Sequence, residues 1–205
     1  MRVALATVIL GAAFAVSPLA QSPSTSTRPS GSLDRPFMPD GRIRMDLSAG
    51  DYEITGSKDR RIHIEWSVRE EFQLARVHAR ANVRGSEASV ATDGPSNNTG
   101  LRFVIRVPDR SDLYVRLTAG DIRIEDVRGN KDVEMHAGDL RIDVGHIDDY
   151  NRVDGSLWAG DIHAAPFNVI KGGLFRSFDW SGKGPYRLHA KLKAGDLRLY
   201  TKGAL

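Results

Sequence analysis

Residues 117–124, Leu-Thr-Ala-Gly-Asp-Ile-Arg-Ile, decide the fold, because the tripeptide at their centre occurs five times in the chain of 205 residues. In every copy an apolar residue lies two positions before the alanine, and apolar residues lie one and three positions after the aspartate. The repeated pairs are Gly50 and Asp51, Gly120 and Asp121, Gly138 and Asp139, Gly160 and Asp161, and Gly195 and Asp196. Self-similarity in this detail predicts a repeat architecture.

The repeated frame describes two short strands joined by a turn. Apolar residues alternate before the tripeptide and again after it, as in strands that bury one face. From the alanine to the next apolar residue the step is three, so the alternation slips by one residue and the chain has to bend there. Glycine suits a position with positive φ, and aspartate can accept a hydrogen bond from its own turn. The pair is therefore predicted to be a structural turn.

The spacing of the copies predicts stacked units. Successive copies begin 70, 18, 22 and 35 residues apart. Three of these intervals are close to one, two and four times a unit of about 18 residues, which fits an array in which some units have lost the tripeptide. A unit of this length suits one turn of a β-solenoid, in which stacked strands bury a column of Leu, Ile and Ala. We therefore expect an all-β, β-helix-like solenoid; the alternative is a β-sandwich of hairpin repeats.

The N-terminal part differs in composition from the remainder. An apolar run over residues 3–16 follows Arg2, which is the layout of a secretory signal peptide over residues 1–20. Residues 21–36 are rich in Ser, Thr and Pro and are predicted to form a linker. The β-repeat domain is then expected over residues 37–205. An uncleaved N-terminal anchor is the alternative to a cleaved signal.

Composition and charge exclude several classes of function. Hydrophobic residues make up 40% of the chain and charged residues 27%, which is enough apolar content for a core. The formal net charge is +3, and removal of residues 1–20 takes away only Arg2, which leaves +2. So small an excess does not predict nucleic-acid binding. The chain has no cysteine, which excludes disulfides and a lipid-modified N-terminal cysteine.

Three features together resemble the bacterial putative-adhesin family of short β-strand repeats, a domain class of unknown function. They are the export signal, the run Val-Pro-Asp-Arg-Ser-Asp-Leu-Tyr-Val at residues 107–115, and the recurring Ala-Gly-Asp-Ile-Arg-Ile type of strand. The resemblance covers residues 37–199. It implies a right-handed β-solenoid-like stack, an envelope or extracellular location and no catalytic residues. The long gap at residues 56–110 departs from a regular array, and an interruption of the solenoid is expected there.

Stacking in register would bring the five turn aspartates into a column at about 4.8 Å spacing. Like charges at this spacing repel unless water, a cation or arginine screens them. The units lack the glycine-rich nonapeptide of calcium-binding β-rolls, so turn capping is favoured over calcium binding. Arg123, Arg141 and Arg198 each follow an aspartate by two residues and are predicted to form a neutralising ladder on the outward face.

Aromatic residues supply the candidate binding surface. Trp158 lies between Leu157 and Ala159, which occupy the buried positions of the repeat, so its side chain is predicted to face outward. An exposed Trp suits contact with a sugar or a partner protein, although a loop at residues 143–154 is an alternative cover for it. The cluster of Phe175, Phe178, Trp180 and Tyr186 is predicted to cap the open end of the stack rather than to bind carbohydrate.

The sequence contains none of the common catalytic motifs. Gly-x-Ser-x-Gly, His-Glu-x-x-His and a phosphate-binding glycine loop are all missing. The six histidines, among them His136 and His163 beside two turns, do not have the spacing of a zinc site, so neither a metal nor a cofactor is predicted.

The function expected from the sequence is therefore noncatalytic, adhesin-like binding by a secreted or periplasmic envelope protein. Its expected partner is an envelope or extracellular protein or a glycan, with Trp158, Arg123 and Arg141 on the binding surface. Nucleic acid is not expected, and membrane contact is expected only through the export signal. The alternatives are a structural protein that assembles edge to edge and a polysaccharide-active enzyme.

Overall fold

The computed structural model describes residues 28–94 and 100–203. The signal peptide predicted over residues 1–20 and residues 21–27 of the predicted linker lie outside this part. The described part is all-β, with fifteen strands, one short α-helix, α1 (Glu71–Leu74), and two 3-10 turns. No helix in it has the length and apolar content that would be needed to cross a membrane.

The strands are β1 (Ser30–Pro36), β2 (Gly41–Leu47), β3 (Asp51–Ser57), β4 (Arg61–Ser67), β5 (His78–Arg84), β6 (Glu87–Asp93), β7 (Arg102–Pro108), β8 (Ser111–Ala119), β9 (Ile122–Glu125), β10 (Lys131–Ala137), β11 (Leu140–Asp143), β12 (Tyr150–Ala164), β13 (Val169–Ser181), β14 (Tyr186–Ala194) and β15 (Leu197–Tyr200). They form one sheet, with the order β1-β4-β7-β3-β9-β11-β15-β12-β14-β10-β8-β2-β6-β5 and β13 paired to β12. The sheet folds back on itself at β12. Its two ends also meet, where Arg35 Nε on β1 donates to the carbonyl of Ala81 on β5 over 3.2 Å. The sheet is therefore nearly closed and barrel-like.

Parallel pairing organises most of the strands into two layers. The first layer has the order β6-β2-β8-β10-β14-β12, and the second has the order β7-β3-β9-β11-β15-β12. The first half of β12 belongs to one layer and its second half to the other. Each Ala-Gly-Asp turn links a strand of the first layer to the aligned strand of the second.

The path of the chain differs from the simple winding expected of a solenoid. The pair β14/β15 lies between β10/β11 and β12, although β12 precedes it in sequence. The reason is that β13 folds back antiparallel on β12, so the chain returns to fill the place beside β10. Two layers around one core are compatible with the sandwich alternative.

The core lies between the two layers and follows the alternation in the sequence. In the second layer Ile54, Ile105, Ile124, Ile142 and Leu199 align on neighbouring strands, and each is at most 1% exposed. Burial of one such side chain contributes about 1.5–3 kcal/mol. The repeated apolar positions therefore hold the stack together.

Residues 56–110 interrupt the series of Ala-Gly-Asp turns. They contribute α1 and two antiparallel strands near the ends of the sheet. Strand β4 pairs with β7, and strand β5 pairs with β6. They also contribute β6 and β7, a strand pair that stacks in parallel on β2/β3 without an Ala-Gly-Asp turn.

The sheet begins earlier than the predicted domain boundary at Phe37. Residues 30–36 of the predicted linker form β1, which pairs antiparallel with β4. A polar segment can occupy an edge because pairing needs only its backbone, and Pro36 at the strand end is tolerated there. Leu33 packs partly against the core, so the segment also contributes apolar contact.

Candidate functional site

The five Ala-Gly-Asp turns stack on one another along one side of the molecule. The glycines follow in the spatial order Gly50, Gly120, Gly138, Gly195 and Gly160, and the first four donate their N–H to the alanine carbonyl of the next turn over 3.0–3.1 Å. Their backbones approach so closely that a Cβ on Gly138 would lie 1.9 Å from the carbonyl oxygen of Gly120. Gly138 also has φ +118°. Glycine is required here for both reasons.

The aspartates of the turns form a hydrogen-bonded column. Asp121 Oδ1 accepts the N–H of Asp139 over 3.0 Å, and Asp139 Oδ1 accepts the N–H of Asp196 over 3.2 Å. Asp196 Oδ1 accepts the N–H of Asp161 over 3.1 Å. From the sequence we expected each carboxylate to cap its own turn, whereas these three cap the next turn. Each bond gives an acceptor to an N–H at the corner, where the strand ladder is interrupted.

The arginines predicted to neutralise this column do so only in part. Arg123, Arg141 and Arg198 align on β9, β11 and β15 as expected. Arg141 Nη2 lies 3.4 Å from Asp139 Oδ2, but Arg123 Nη1 pairs with Glu125 Oε1 at 3.7 Å rather than with Asp121. The hydroxyl of Tyr200 donates to Glu125 over 2.6 Å and lowers the pKa of that carboxyl.

Charged side chains line a cleft of about 310 Å³ beside the turns. The lining includes Asp51, Glu53, Arg102, Asp121, Arg123 and Arg141. Glu53 forms an ion pair with Arg102. Two of these carboxylates are thus engaged, Glu53 in this ion pair and Asp121 in a turn cap.

Trp158 lies on the outer face of the first layer and is 57% exposed. Residues 143–154, considered above as a cover, leave it accessible. Phe175 of β13 lies beside it, with ring centroids 6.2 Å apart, and is 75% exposed. The two residues form an aromatic pair at the corner where β12 passes between the layers.

The aromatic cluster predicted as a cap is divided by the structure. Phe178 is 7% exposed and packs with Trp180 around Phe167, at centroid distances of 6.3 and 5.0 Å from that ring. Phe175 is not part of this cap, because it faces outward with Trp158. Tyr186 packs edge-on against Tyr150 at 6.5 Å.

One group of side chains has the ligand spacing of a metal site. Asp132, Glu134 and His189 bring one ligand atom each to within 4.8 Å of one another. However, Arg116 contacts both carboxylates, at 3.1 and 3.4 Å, and His189 Nδ1 lies 2.5 Å from Asp154. All three side chains of this group are thus already in contact with other charged residues, Arg116 or Asp154. His136 and His163, which lie beside two turns in the sequence, are in different layers.

A buried lysine was missed by the sequence analysis. Lys131 is 1% exposed, and its Nζ donates to the hydroxyl of Tyr150 over 2.7 Å. Burial lowers the pKa of Lys131 to about 8, although Asp143, Asp149 and Asp112 act in the opposite direction. The signal was present in the sequence, since Lys131 precedes Val133 and Met135 in the same alternation.

Comparison with known proteins finds a likeness of fold at low sequence identity. No protein-family model matches it, and no curated protein has a matching sequence. A putative cell adhesion protein from Clostridium sporogenes superposes with a TM-score of 0.56 at 13% identity, over 84% of this chain and 100% of that one. A putative adhesin from Parabacteroides merdae gives a TM-score of 0.29 at 11% identity, over 56% and 58% of the two chains. The Clostridium protein establishes a similar all-β fold.

Proposed function

We propose that the protein is a noncatalytic, exported binding module of the cell envelope, adhesin-like in function, and that its binding surface centres on Trp158. The observation that carries the proposal is the exposure of Trp158 beside Phe175, on the outer face of the first layer. Exposed aromatic clusters in well-ordered surfaces are characteristic of interaction sites. The likeness of fold to a putative cell adhesion protein supports this function, as does the resemblance of the repeats to the putative-adhesin family.

The proposal of a noncatalytic role is supported by the state of the carboxylates. A polysaccharide-active enzyme needs two carboxylates that are free to act as acid and base or nucleophile. Asp121 and Asp139 instead accept backbone hydrogen bonds, and Glu53 is paired with Arg102. These groups stabilise the stack.

Edge-to-edge assembly receives less support. Side chains of β13 occupy backbone carbonyls of the same strand and so hinder its pairing with another chain. Lys171 Nζ donates to the carbonyl of Ser177 over 2.7 Å, and Arg176 Nε donates to that of Gly172 over 2.6 Å. Charged side chains at a strand edge disfavour pairing with another chain. A binding role is therefore favoured over an assembly role.

The test is a binding screen of the purified full chain against envelope fractions and glycans, with and without calcium. Trp158→Ala is compared with Phe72→Ala, a matched control because Phe72 is 73% exposed on α1. Saturable binding that Trp158→Ala abolishes and Phe72→Ala retains is the expected result. Equal binding by both variants, or no binding by the wild type, would contradict the proposal.

A further inference from the structure

The outer face of the first layer carries a row of carboxylate and imidazole side chains. Asp132 on β10, His189 on β14 and Asp154 on β12 align in register on three neighbouring strands. Glu134 follows Asp132 by two residues, so the alternation of the strand places it on the same face. All four side chains are half-buried. Parallel pairing brings together residues that are far apart in the sequence, so the spacing of the histidines gave no indication of this group.

His189 is oriented by one carboxylate and keeps one ring nitrogen free. Its Nδ1 lies 2.5 Å from Oδ2 of Asp154, so Nδ1 carries the proton that this carboxylate accepts. In the described part of the chain, Nε2 has no hydrogen-bond or ion-pair partner. Metal-bound histidines almost always donate their other ring N–H to a carboxylate, a carbonyl or water, which fixes the tautomer and the orientation of the ring. Nε2 of His189 therefore has its lone pair available to a ligand.

Asp132 and Glu134 are held by a shared arginine. Nη1 of Arg116 lies 3.1 Å from Oδ1 of Asp132, and its Nε lies 3.4 Å from Oε2 of Glu134. Among the described residues, no ion pair or hydrogen bond involves the second oxygen of either carboxylate, Oδ2 of Asp132 or Oε1 of Glu134. Arg116 thus contacts both carboxylates and leaves each of them one oxygen for another bond.

We propose that Asp132, Glu134 and His189 bind Zn²⁺, with Asp154 as the positioning residue of the imidazole ring. One ligand atom of each of the three residues lies within 4.8 Å of the other two. Zinc bonds of about 2.0–2.2 Å place tetrahedral ligand atoms roughly 3.4 Å apart, so these side chains have to close by about 1 Å. Three protein ligands leave the fourth position to water or to a donor atom of a partner. The inference goes beyond the proposed function, since it uses neither Trp158 nor Phe175.

The ligand set selects zinc over calcium and magnesium. Ca²⁺ and Mg²⁺ are hard cations that take oxygen ligands, whereas an imidazole nitrogen beside carboxylates suits Zn²⁺. Charge does not make this selection, because carboxylates and cations within two residues of the row on β8, β10, β14 and β12 are equal in number. They are Asp112, Asp132, Glu134 and Asp154 against Arg116, Arg152, Arg187 and Lys191. Binding should therefore depend on His189 and change little with salt.

The test is calorimetric titration of the purified full chain, without a histidine tag, with Zn²⁺. His189→Gln removes the ligating ring and keeps a polar side chain. His78→Gln is its matched control, because His78 is exposed on β5 and also faces a carboxylate, that of Asp93, in register. Asp132→Asn removes the charge of a second ligand, and Asp154→Ala removes the group that orients the ring. Circular dichroism of each variant checks that the fold is retained.

We expect one Zn²⁺ per chain in the wild type and in His78→Gln. His189→Gln and Asp132→Asn should each weaken binding by at least about tenfold. Addition of Ca²⁺ should not displace Zn²⁺, and added salt should change the affinity by less than about twofold. Equal affinity in the wild type and His189→Gln, or no stoichiometric binding by the wild type, would overturn the inference. That result would leave the proposed function intact, because it rests on Trp158.

Asp154→Ala tests the positioning role separately. It should weaken zinc binding by about 10–100-fold while one site per chain remains, because the ring loses its orientation and keeps its ligating nitrogen. Co²⁺ bound in place of Zn²⁺ should keep the visible absorption spectrum of the wild type, since the three ligands are unchanged. Unaltered zinc affinity in Asp154→Ala, or a changed Co²⁺ spectrum, would show that Asp154 does not act through His189.

Discussion

Lys131 donates a hydrogen bond to the hydroxyl of Tyr150 over 2.7 Å inside the core, between the two layers of the sheet. Its neighbours in register are Leu113 on β8 and Leu188 on β14, so a charged side chain occupies one place in an apolar row. The ammonium group also lies 5.3 Å from the centroid of the Tyr150 ring. These contacts offset only part of the cost of burial, as the lowered pKa of Lys131 indicates.

This buried pair predicts a specific dependence of stability on pH. Lys131 has a pKa of about 8 in the folded protein and 10.5 as its ordinary value. Below pH 8 the lysine is protonated in both states, and the folded state bears the full cost of about 3 kcal/mol. Between pH 8 and 10.5 the unfolded chain binds the extra proton, so the contribution of Lys131 to the free energy of unfolding rises with pH. Urea unfolding across this range measures it.

The double variant Lys131→Met with Tyr150→Phe isolates that contribution. It removes both polar partners together, so neither is left buried without a hydrogen bond. We expect it to be at least as stable as the wild type at pH 7 and to lose the rise above pH 8. Lys193→Met, at an exposed position, should keep the rise. A rise that persists in the double variant would show that another group causes it.

The glycine column predicts unequal effects of two glycine substitutions. Gly138→Ala places a methyl group 1.9 Å from the carbonyl of Gly120, and the backbone has positive φ as well. We expect a loss of more than about 3 kcal/mol in the free energy of unfolding. Gly85 also has positive φ, but a Cβ there would meet nothing within 4 Å. Gly85→Ala should cost about 1 kcal/mol, and equal losses in the two variants would contradict close stacking of the turns.

The aspartate column predicts that hydrogen bonding matters more than charge. Asp139→Ala removes the acceptor of the Asp196 N–H and should destabilise by about 1–2 kcal/mol in urea unfolding. Asp139→Asn keeps an acceptor oxygen and relieves repulsion between neighbouring carboxylates, so we expect a change within about 0.5 kcal/mol. If Asn and Ala were equally damaging, the charge of the column would be the important property.

The repeated tripeptide was sufficient to predict the all-β class and the stacked turns. The frame around Gly120 and Asp121 determines which side chains face the core, and this alternation is local information. The order of the stack was not predictable in the same way. It depends on β13 folding back on β12, and on β14 taking the place beside β10. Such long-range pairing leaves little signal in a single sequence.

The candidate surface was predicted in outline, because Trp158 lies between two buried positions of an alternating strand and so faces outward. Its partner Phe175 was assigned to the cap, because the sequence did not show that residues 169–181 form one continuous strand. In that strand Phe175 and Phe178 are three residues apart, and the alternation of side chains places them on opposite faces. The burial of Lys131 was not predicted, because lysine side chains are usually exposed. Its position in the strand nevertheless places it on the same buried face as Val133 and Met135. Partners across layers, such as Tyr150, become visible only in the folded chain.

The division of the aromatic cluster predicts opposite roles for Phe178 and Trp158. Phe178 is buried over Gly155 and packs against Phe167, so Phe178→Ala should cost about 3–5 kcal/mol of folding stability. Trp158 is largely exposed, so Trp158→Ala should cost less than about 1 kcal/mol while it abolishes binding. Thermal and urea unfolding of the two variants, run beside the envelope-binding measurement, tests both statements. A large loss of stability in Trp158→Ala would mean that this ring supports the fold, and its loss of binding would then carry no information about the surface.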